Sequence, residues 1–238
     1  MVINKVAVVT GADRGLGYAL CEELLLEGWQ VFAGQFIPEW TELKDLAYNN
    51  PELLKIISLN VASLDSINTA VRTIGEITDH VDMLINNAGI NVSDGDIRNG
   101  MDFTKTQDIF NVNTLGPIRM VQAFLPIMGS GMKRLCFVSS EAGSISLCNR
   151  NSNFGYCMSK TALNMAIKIM FNDLYKDVFT FRIYHPGWLR SYMSGQKSTT
   201  GVIEPEESAK AAVPFFIKNN SSEDTLVMVD NKGEEWPF

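Results

Sequence analysis

Short runs of β-branched and aliphatic residues alternate along the chain with longer stretches of helical spacing. Val6-Ala7-Val8-Val9 reads as a buried strand that ends at Gly11. Apolar residues then recur at three- and four-residue steps through Leu16, Ala19, Leu20 and Leu24, which predicts a helix closed by Gly28. The same reading predicts strands at 31–33, 56–59, 81–85, 135–138, 179–184 and 226–229. Between them it predicts helices at 40–48, from Ser63 as N-cap to Thr78, and at 103–128, 155–175 and 204–218. Pro117 and Pro126 predict a kink and an end within the longest of these. Apolar strands separated by helices imply a parallel sheet covered on both faces. The expectation is one doubly wound α/β domain over residues 1–238, with about seven strands and helices on both sides.

Composition narrows the class without naming an activity. Hydrophobic residues make up 46% and charged residues 20%, which excludes a disordered or fibrous chain. No apolar stretch approaches the ~18 residues of a membrane span. Twenty Lys and Arg against 27 Asp and Glu give a net charge of −7, and no basic run offsets it. Nucleic acid and anionic membrane are therefore not expected partners. Met1-Val2-Ile3-Asn4-Lys5 leads straight into the first strand rather than into a secretory signal, so a cytoplasmic location is expected. Cys21, Cys136, Cys148 and Cys157 form no C-x-x-C pair and read as reduced, mostly buried thiols. Neither His80 nor His185 has a partner at ligand spacing, so no metal site is expected; His185 reads as a packing or capping group.

Two motifs carry chemistry. Thr10-Gly11-Ala12-Asp13-Arg14-Gly15-Leu16-Gly17 lies between the first strand and the first helix. Glycines let the backbone approach a pyrophosphate closely, and the helix N-terminus offers unpaired N–H groups. The spacing G-x-x-x-G-x-G is one residue longer in its first interval than the common dinucleotide fingerprint, and an ordinary glycine turn is the bland alternative. Gly11, Asp13, Arg14, Gly15, Leu16 and Gly17 are the candidate contacts. Arg14 suits an adenosine 2′-phosphate, whereas an acid ending the second strand would suit the free 2′-hydroxyl. That end reads Gly34-Gln35-Phe36-Ile37-Pro38, with no acid before Glu39, so the balance leans to NADP over NAD. A plain surface charge is the alternative for Arg14.

The second motif is Tyr156-Cys157-Met158-Ser159-Lys160. Residues at i and i+4 share a helix face, about 6 Å apart along the axis. A phenol with pKa near ~10 carries protons poorly at neutral pH, and an adjacent ammonium favours its ionised form. Tyr and Lys at this spacing also occur on many solvated helices, so context decides. Ser139-Ser140 ends the fifth strand, where parallel sheets bind ligands, and Asn86-Asn87-Ala88-Gly89 ends the fourth in the same way. Asn113 sits inside a helix, where an amide invites a polar role. Cys157, directly after Tyr156, is expected to turn away from this face into the core; Cys148, in the stretch between Ser140 and Tyr156, reads either as a lining residue of the substrate pocket or as a plain loop thiol.

This ordered set resembles the short-chain dehydrogenase/reductase family, in its roughly 250-residue branch, over essentially the whole chain. The resemblance implies a Rossmann-type fold, NADP or NAD as cofactor, and hydride transfer between nicotinamide and a carbonyl or alcohol. It implies a catalytic tetrad on Asn113, Ser140, Tyr156 and Lys160. Tyr156 would move the proton, Lys160 would lower its pKa and hold the nicotinamide ribose, Ser140 would orient the carbonyl, and Asn113 would anchor a water. It implies further cofactor contacts from Asn60, Val61, Asn87, Ala88 and Gly89, and from Pro186, Gly187, Leu189 and Ser191 after the sixth strand. Three departures stand out. The 16-residue step from Ser140 to Tyr156 is longer than usual; with Pro186-Gly187-Trp188 and the ending at 230–237 it resembles the C-factor and sniffer-like carbonyl reductase branch. Asn60 stands where the family usually places Asp against adenine, and Phe36 where NADP-preferring relatives often carry Arg. The resemblance also implies a homodimer or homotetramer through the helices at 103–128 and 155–175. Segments 141–153 and 188–202 are expected to form the substrate pocket. The alternative from another class is a dinucleotide-binding regulator with little turnover; an isomerase or dehydratase is disfavoured because the length leaves no separate substrate domain.

Overall fold

The computed structural model describes residues 5–193, 196–219 and 223–238. Its first half runs β1 (Val6–Val9), α1 (Gly15–Leu26), β2 (Gln30–Gln35), α2 (Glu42–Asn49), β3 (Leu54–Ser58), α3 (Leu64–Gly75) and β4 (Met83–Asn86). A small hairpin, β5 (Gly95–Asp96) and β6 (Gly100–Met101), precedes α4 (Phe103–Phe110) and α5 (Gly116–Phe124). The second half runs β7 (Arg134–Val138), α6 (Phe154–Leu174), β8 (Thr180–His185), α7 (Pro205–Ile217), β9 (Met228–Asp230) and β10 (Glu235–Trp236).

Eight of these strands form one sheet in the order β3-β2-β1-β4-β7-β8-β9-β10. All neighbours are parallel except β10, which returns antiparallel to β9. From β1 the chain winds outward to β3 and then crosses back to β4 on the other side. The strand order therefore reverses between β1 and β4, and such a reversal leaves a crevice at the carboxyl ends of the strands. One apolar layer packs α3, α5 and α6 on the sheet through Ile67, Phe124 and Ile167; the other packs α1 and α7 through Leu20, Leu24 and Phe216.

Local chemistry explains several boundaries. Ser63 caps α3, its hydroxyl accepting from Ser66 N at 3.3 Å. Gly28 follows α1 with φ +76°, a left-handed turn that favours glycine. The long helix expected at 103–128 is in fact broken by a π turn at Asn111–Leu115, not by a kink at Pro117. Pro117 lies in the first turn of α5, where its missing N–H leaves no bond unmade. β10 exceeds the expected strands because two residues are too short to read as a period. It is held by Trp236 Nε1, which donates to Asp230 Oδ2 at 3.0 Å.

Two buried arginines tie the far end of α7 to the sheet. Arg134 donates to the carbonyls of Phe216 and Lys218, and Arg182 to those of Phe215 and Lys218. Arg182 also pairs twice with the Glu223 carboxylate, at 2.7 Å each. Arg182→Met would remove the donor to the Phe215 carbonyl and leave Arg134 as the remaining arginine beside Lys218 and Glu223, and losing hydrogen bonds from a buried charged group costs about 1.5–3 kcal/mol. Urea denaturation is expected to show that loss; an unchanged midpoint would contradict it.

Candidate active site

The crevice between β1 and β4 begins at the loop of residues 10–17. Thr10 Oγ1 accepts from the backbone N–H of Asn87 at 3.0 Å and of Ala88 at 2.9 Å. Asn87 Nδ2 donates back to the carbonyls of Thr10 and Gly11, at 2.9 and 3.1 Å. These bonds lock the glycine loop to the end of β4. A Cβ on Gly17 would lie 2.1 Å from the Gly11 carbonyl oxygen, so the loop folds onto the helix start only because that Cβ is missing. Gly15, with φ +59°, has nothing nearer to such an atom than Tyr192 Cδ2 at 3.9 Å and opens to the crevice. The result is a backbone cradle at the N-terminus of α1, above a cavity of about 270 Å³.

Gly11, Asp13, Arg14, Gly15, Leu16 and Gly17 all line this cavity, as do Asn60, Val61, Asn87, Ala88 and Gly89. Pro186, Leu189 and Ser191 close its far side. Gly187 does not reach it. That glycine turns the chain, with φ +81° and space for a Cβ blocked by Asn231 Oδ1 at 2.9 Å. Asp13 turns its carboxylate away to accept from Phe36 N at 2.9 Å and Ile37 N at 2.6 Å, which buttresses the end of β2. Asn60 Oδ1 is taken by Ala62 N at 2.9 Å. Arg14 is more than a surface charge. Its guanidinium stacks 4.5 Å from the Trp40 ring centre and 5.6 Å from that of Tyr192, and it donates to the Tyr192 carbonyl at 3.2 Å. Ile37, Ile90, Tyr192 and Met193 also line the cavity. Sequence reading missed them because loops far apart in the chain deliver them.

The proposed tetrad residues gather at the other end. Lys160 Nζ donates to the Val138 carbonyl at 2.9 Å and lies 5.8 Å from the Tyr156 ring centre. Ser140 lies beside Tyr156, its hydroxyl donating to Glu141 Oε2 and accepting from Ala142 N at 3.1 Å, whereas Ser139 turns away and donates to Asn164 Oδ1 at 2.6 Å. Asn113 sits in the π turn, a geometry that often marks functional sites. Its Oδ1 accepts from Ile90 N at 2.8 Å, and its Nδ2 donates to Ile90 O at 2.9 Å and Ser159 Oγ at 3.1 Å. Both amide hydrogens are thus spent on pinning the segment after β4 to α6. Asp94 supplies a link that sequence did not reveal. Asn153 precedes α6 without a side-chain cap, and Asp94 Oδ2 instead accepts from Gly155 N at 2.6 Å, next to Tyr156.

Electrostatics revise one expectation. Tyr156 keeps part of its surface open to the crevice, yet desolvation pushes its phenol up to about 12, against a smaller lowering from the neighbouring Ser140 hydroxyl. Burial pulls Lys160 down to about 8. Burial, not the Lys160 ammonium, therefore dominates the Tyr156 proton. His185 packs edge-on against Trp236, ring centres 5.0 Å apart, and burial lowers its pKa, which keeps it neutral. Cys157 is half-buried rather than in the core, and Cys148 is exposed. No three metal-ligating side chains converge among the described residues, and no described helix is long and apolar enough to cross a membrane.

The chain belongs to the short-chain dehydrogenase family, whose sequence profile matches residues 5–201. An uncharacterised oxidoreductase of Schizosaccharomyces pombe is 32% identical over 240 residues, spanning 96% of this chain and 91% of that one. Among solved structures, an NADPH-bound carbonyl reductase from chicken fatty liver superposes with a TM-score of 0.88 at 28% identity, covering 99% of each chain. The carbonyl reductase Sniffer of D. melanogaster gives 0.89 at 26%, again over 99% of each. The family resemblance read from the motifs is borne out, and carbonyl reductases are among the structural relatives.

Proposed function

We propose that this protein is an NADP-dependent carbonyl reductase, able to run in reverse as an alcohol dehydrogenase, with NAD as the weaker cofactor. One observation carries the reading: Tyr156 and Lys160 line one end of the crevice whose other end is the glycine cradle. When bound, the nicotinamide supplies or accepts the hydride. The cradle's N–H groups at the start of α1 hold the pyrophosphate. Lys160 reaches the nicotinamide ribose, while Pro186, Leu189 and Ser191 bound the nicotinamide end. Ser140 fixes the carbonyl oxygen of the substrate beside Tyr156, and the Tyr156 hydroxyl protonates that oxygen. A phenol held near 12 is protonated throughout the neutral range, as an acid in reduction must be. The substrate is a small carbonyl compound or alcohol held by segments 141–153 and 188–202, of which residues 194–195 lie outside the described residues. The whole of residues 1–238 acts as one nucleotide-binding domain in the cytoplasm. The exposed apolar side chains of Phe103 on α4 and of Met165 and Ile169 on α6 support a homodimer or homotetramer.

Cofactor choice rests on Arg14, whose stacking on Trp40 keeps a cation beside the end of β2. Fluorescence titration is expected to give at least about tenfold tighter binding of NADPH than NADH, a gap of ~1.4 kcal/mol. Arg14→Gln is expected to erase most of that gap by weakening NADPH alone. Equal affinities in the parent chain would contradict the NADP preference.

A further inference from the structure

We propose that Tyr192, carried by the substrate segment, is a specificity-determining residue: with Trp40 it holds the Arg14 guanidinium for the 2′-phosphate of NADPH, and so ties recognition of that phosphate to the fixing of the substrate segment. The inference deepens the proposed reductase reading and rests on its assignment of Arg14. Three parts of the chain meet here. Arg14 comes from the glycine loop. Trp40 comes from the turn after β2, where its N–H donates to the Ile37 carbonyl at 3.1 Å and its own carbonyl accepts from Gln35 Nε2 at 3.4 Å. Tyr192 comes from the segment between β8 and α7. Its ring meets that of Trp40 edge-on, centres 5.0 Å apart, and the guanidinium lies against both.

The charge of Arg14 is left free for an anion. Arg150 and Arg190 pair with Glu141 and Glu204. Arg14 pairs with no carboxylate among the described residues. Its neighbour Asp13 is spent on the N–H groups of Phe36 and Ile37. A guanidinium carries five N–H donors in a planar fork that suits phosphate oxygens. One of them goes to the Tyr192 carbonyl, at 3.2 Å. The two rings hold the cation without using any hydrogen, so a phosphate can take the remaining donors with the Tyr192 bond intact. Stacking also restrains a long side chain that would otherwise lose its rotamer freedom at the moment of binding.

Tyr192 is in turn tied to the rest of its segment. Ser191 O accepts from Ser198 N at 2.8 Å, and Arg190 donates to the carbonyls of Ile203 and Gly201 at 3.0 and 2.9 Å. Arg190 and Lys197 both pair with Glu204, at the start of α7. On the crevice side, a Cβ on Gly15 would meet Tyr192 Cδ2 at 3.9 Å, and one on Gly89 would meet Met193 Cε at 3.6 Å. An anion that fixes Arg14 therefore fixes Tyr192 and, through these bonds, the segment that borders the substrate. The coupling is reciprocal: a fixed segment presents a fixed guanidinium to the phosphate. NADH lacks the 2′-phosphate and has no such grip on the segment.

Tyr192→Ala removes the ring and keeps the backbone carbonyl. In fluorescence titration it is expected to weaken NADPH about three- to tenfold, the scale of a cation–π contact, while NADH changes by less than about twofold. Tyr192→Phe, which keeps the ring, should bind both cofactors as the parent does. In an Arg14→Gln background, Tyr192→Ala should cost NADPH less than about twofold, and the double-mutant cycle measures this coupling. A second readout follows the segment itself, as the rate of tryptic cleavage after Lys197 at saturating cofactor. In the parent chain NADPH should slow this cleavage more than NADH does; in Tyr192→Ala the two cofactors should protect equally. Equal weakening of both cofactors by Tyr192→Ala, additive losses in the double variant, or equal protection in the parent would overturn the proposal. If the parent binds NADPH and NADH equally, the assignment of Arg14 fails and this inference fails with it. If NADPH is preferred and Tyr192→Ala keeps the whole gap, the role of Tyr192 alone fails.

Discussion

Tyr156→Phe is expected to lower the turnover number for carbonyl reduction by about 100- to 10,000-fold, the range contributed by a positioned general acid. The substitution removes one oxygen and leaves the ring that packs near Lys160. Tyr156 borders the cavity beside Ser139 and Val138, away from the glycine cradle. NADPH affinity should therefore stay within about twofold, since the pyrophosphate held at the start of α1 does not depend on the phenol. Steady-state rates give the first quantity and fluorescence titration the second. A variant within about tenfold of the parent rate would mean that another group donates the proton.

The second large effect is expected at Gly17. A Cβ there would lie 2.1 Å from the Gly11 oxygen, 2.5 Å from Asn87 Nδ2 and 2.8 Å from the Gly11 carbonyl carbon. Two of those atoms are backbone, so the loop itself must move, and Asn87 must release the carbonyls it clamps. Gly17→Ala should weaken NADPH binding by at least about tenfold, ~1.4 kcal/mol. Alanine's better helix propensity, worth up to ~1 kcal/mol, offsets part of the stability loss but cannot restore the cradle. Gly75→Ala is the control: nothing lies within 4 Å of an added Cβ at the end of α3. Its affinity should equal that of the parent. Normal NADPH binding by Gly17→Ala would show that the pyrophosphate is held elsewhere.

Where bonding is local, these features were readable from sequence. β1, β4 and β7 are apolar because the sheet is covered on both faces, and Ser63 and Gly28 mark helix ends through their own neighbours. The π turn was not readable, although Asn113 stood out as a misplaced amide. Its geometry accompanies bonds to Ile90 and Ser159, far away in the chain. Asp13 shows the same limit. Its place in the glycine loop suggested a cofactor contact, while its carboxylate serves β2. Arg14 was singled out for its charge, but the aromatic rings that hold it come from opposite halves of the sequence. The spacing of Tyr156 and Lys160 was visible, whereas the burial that governs both their protons belongs to the folded crevice. Glu141 is a further case: adjacent to Ser140 in sequence, its carboxylate meets the Ser140 hydroxyl and Arg150 only in the folded turn.

The most direct test of the reductase reading is to mix the purified protein with NADPH and a panel of aldehydes and ketones, and to follow both NADPH consumption and alcohol formation. Matched loss of NADPH and gain of alcohol on at least one carbonyl, abolished in Tyr156→Phe, is the predicted result. Tight NADPH binding with no consumption above the protein-free rate on any of the panel would contradict it and leave a dinucleotide-binding regulator as the better description.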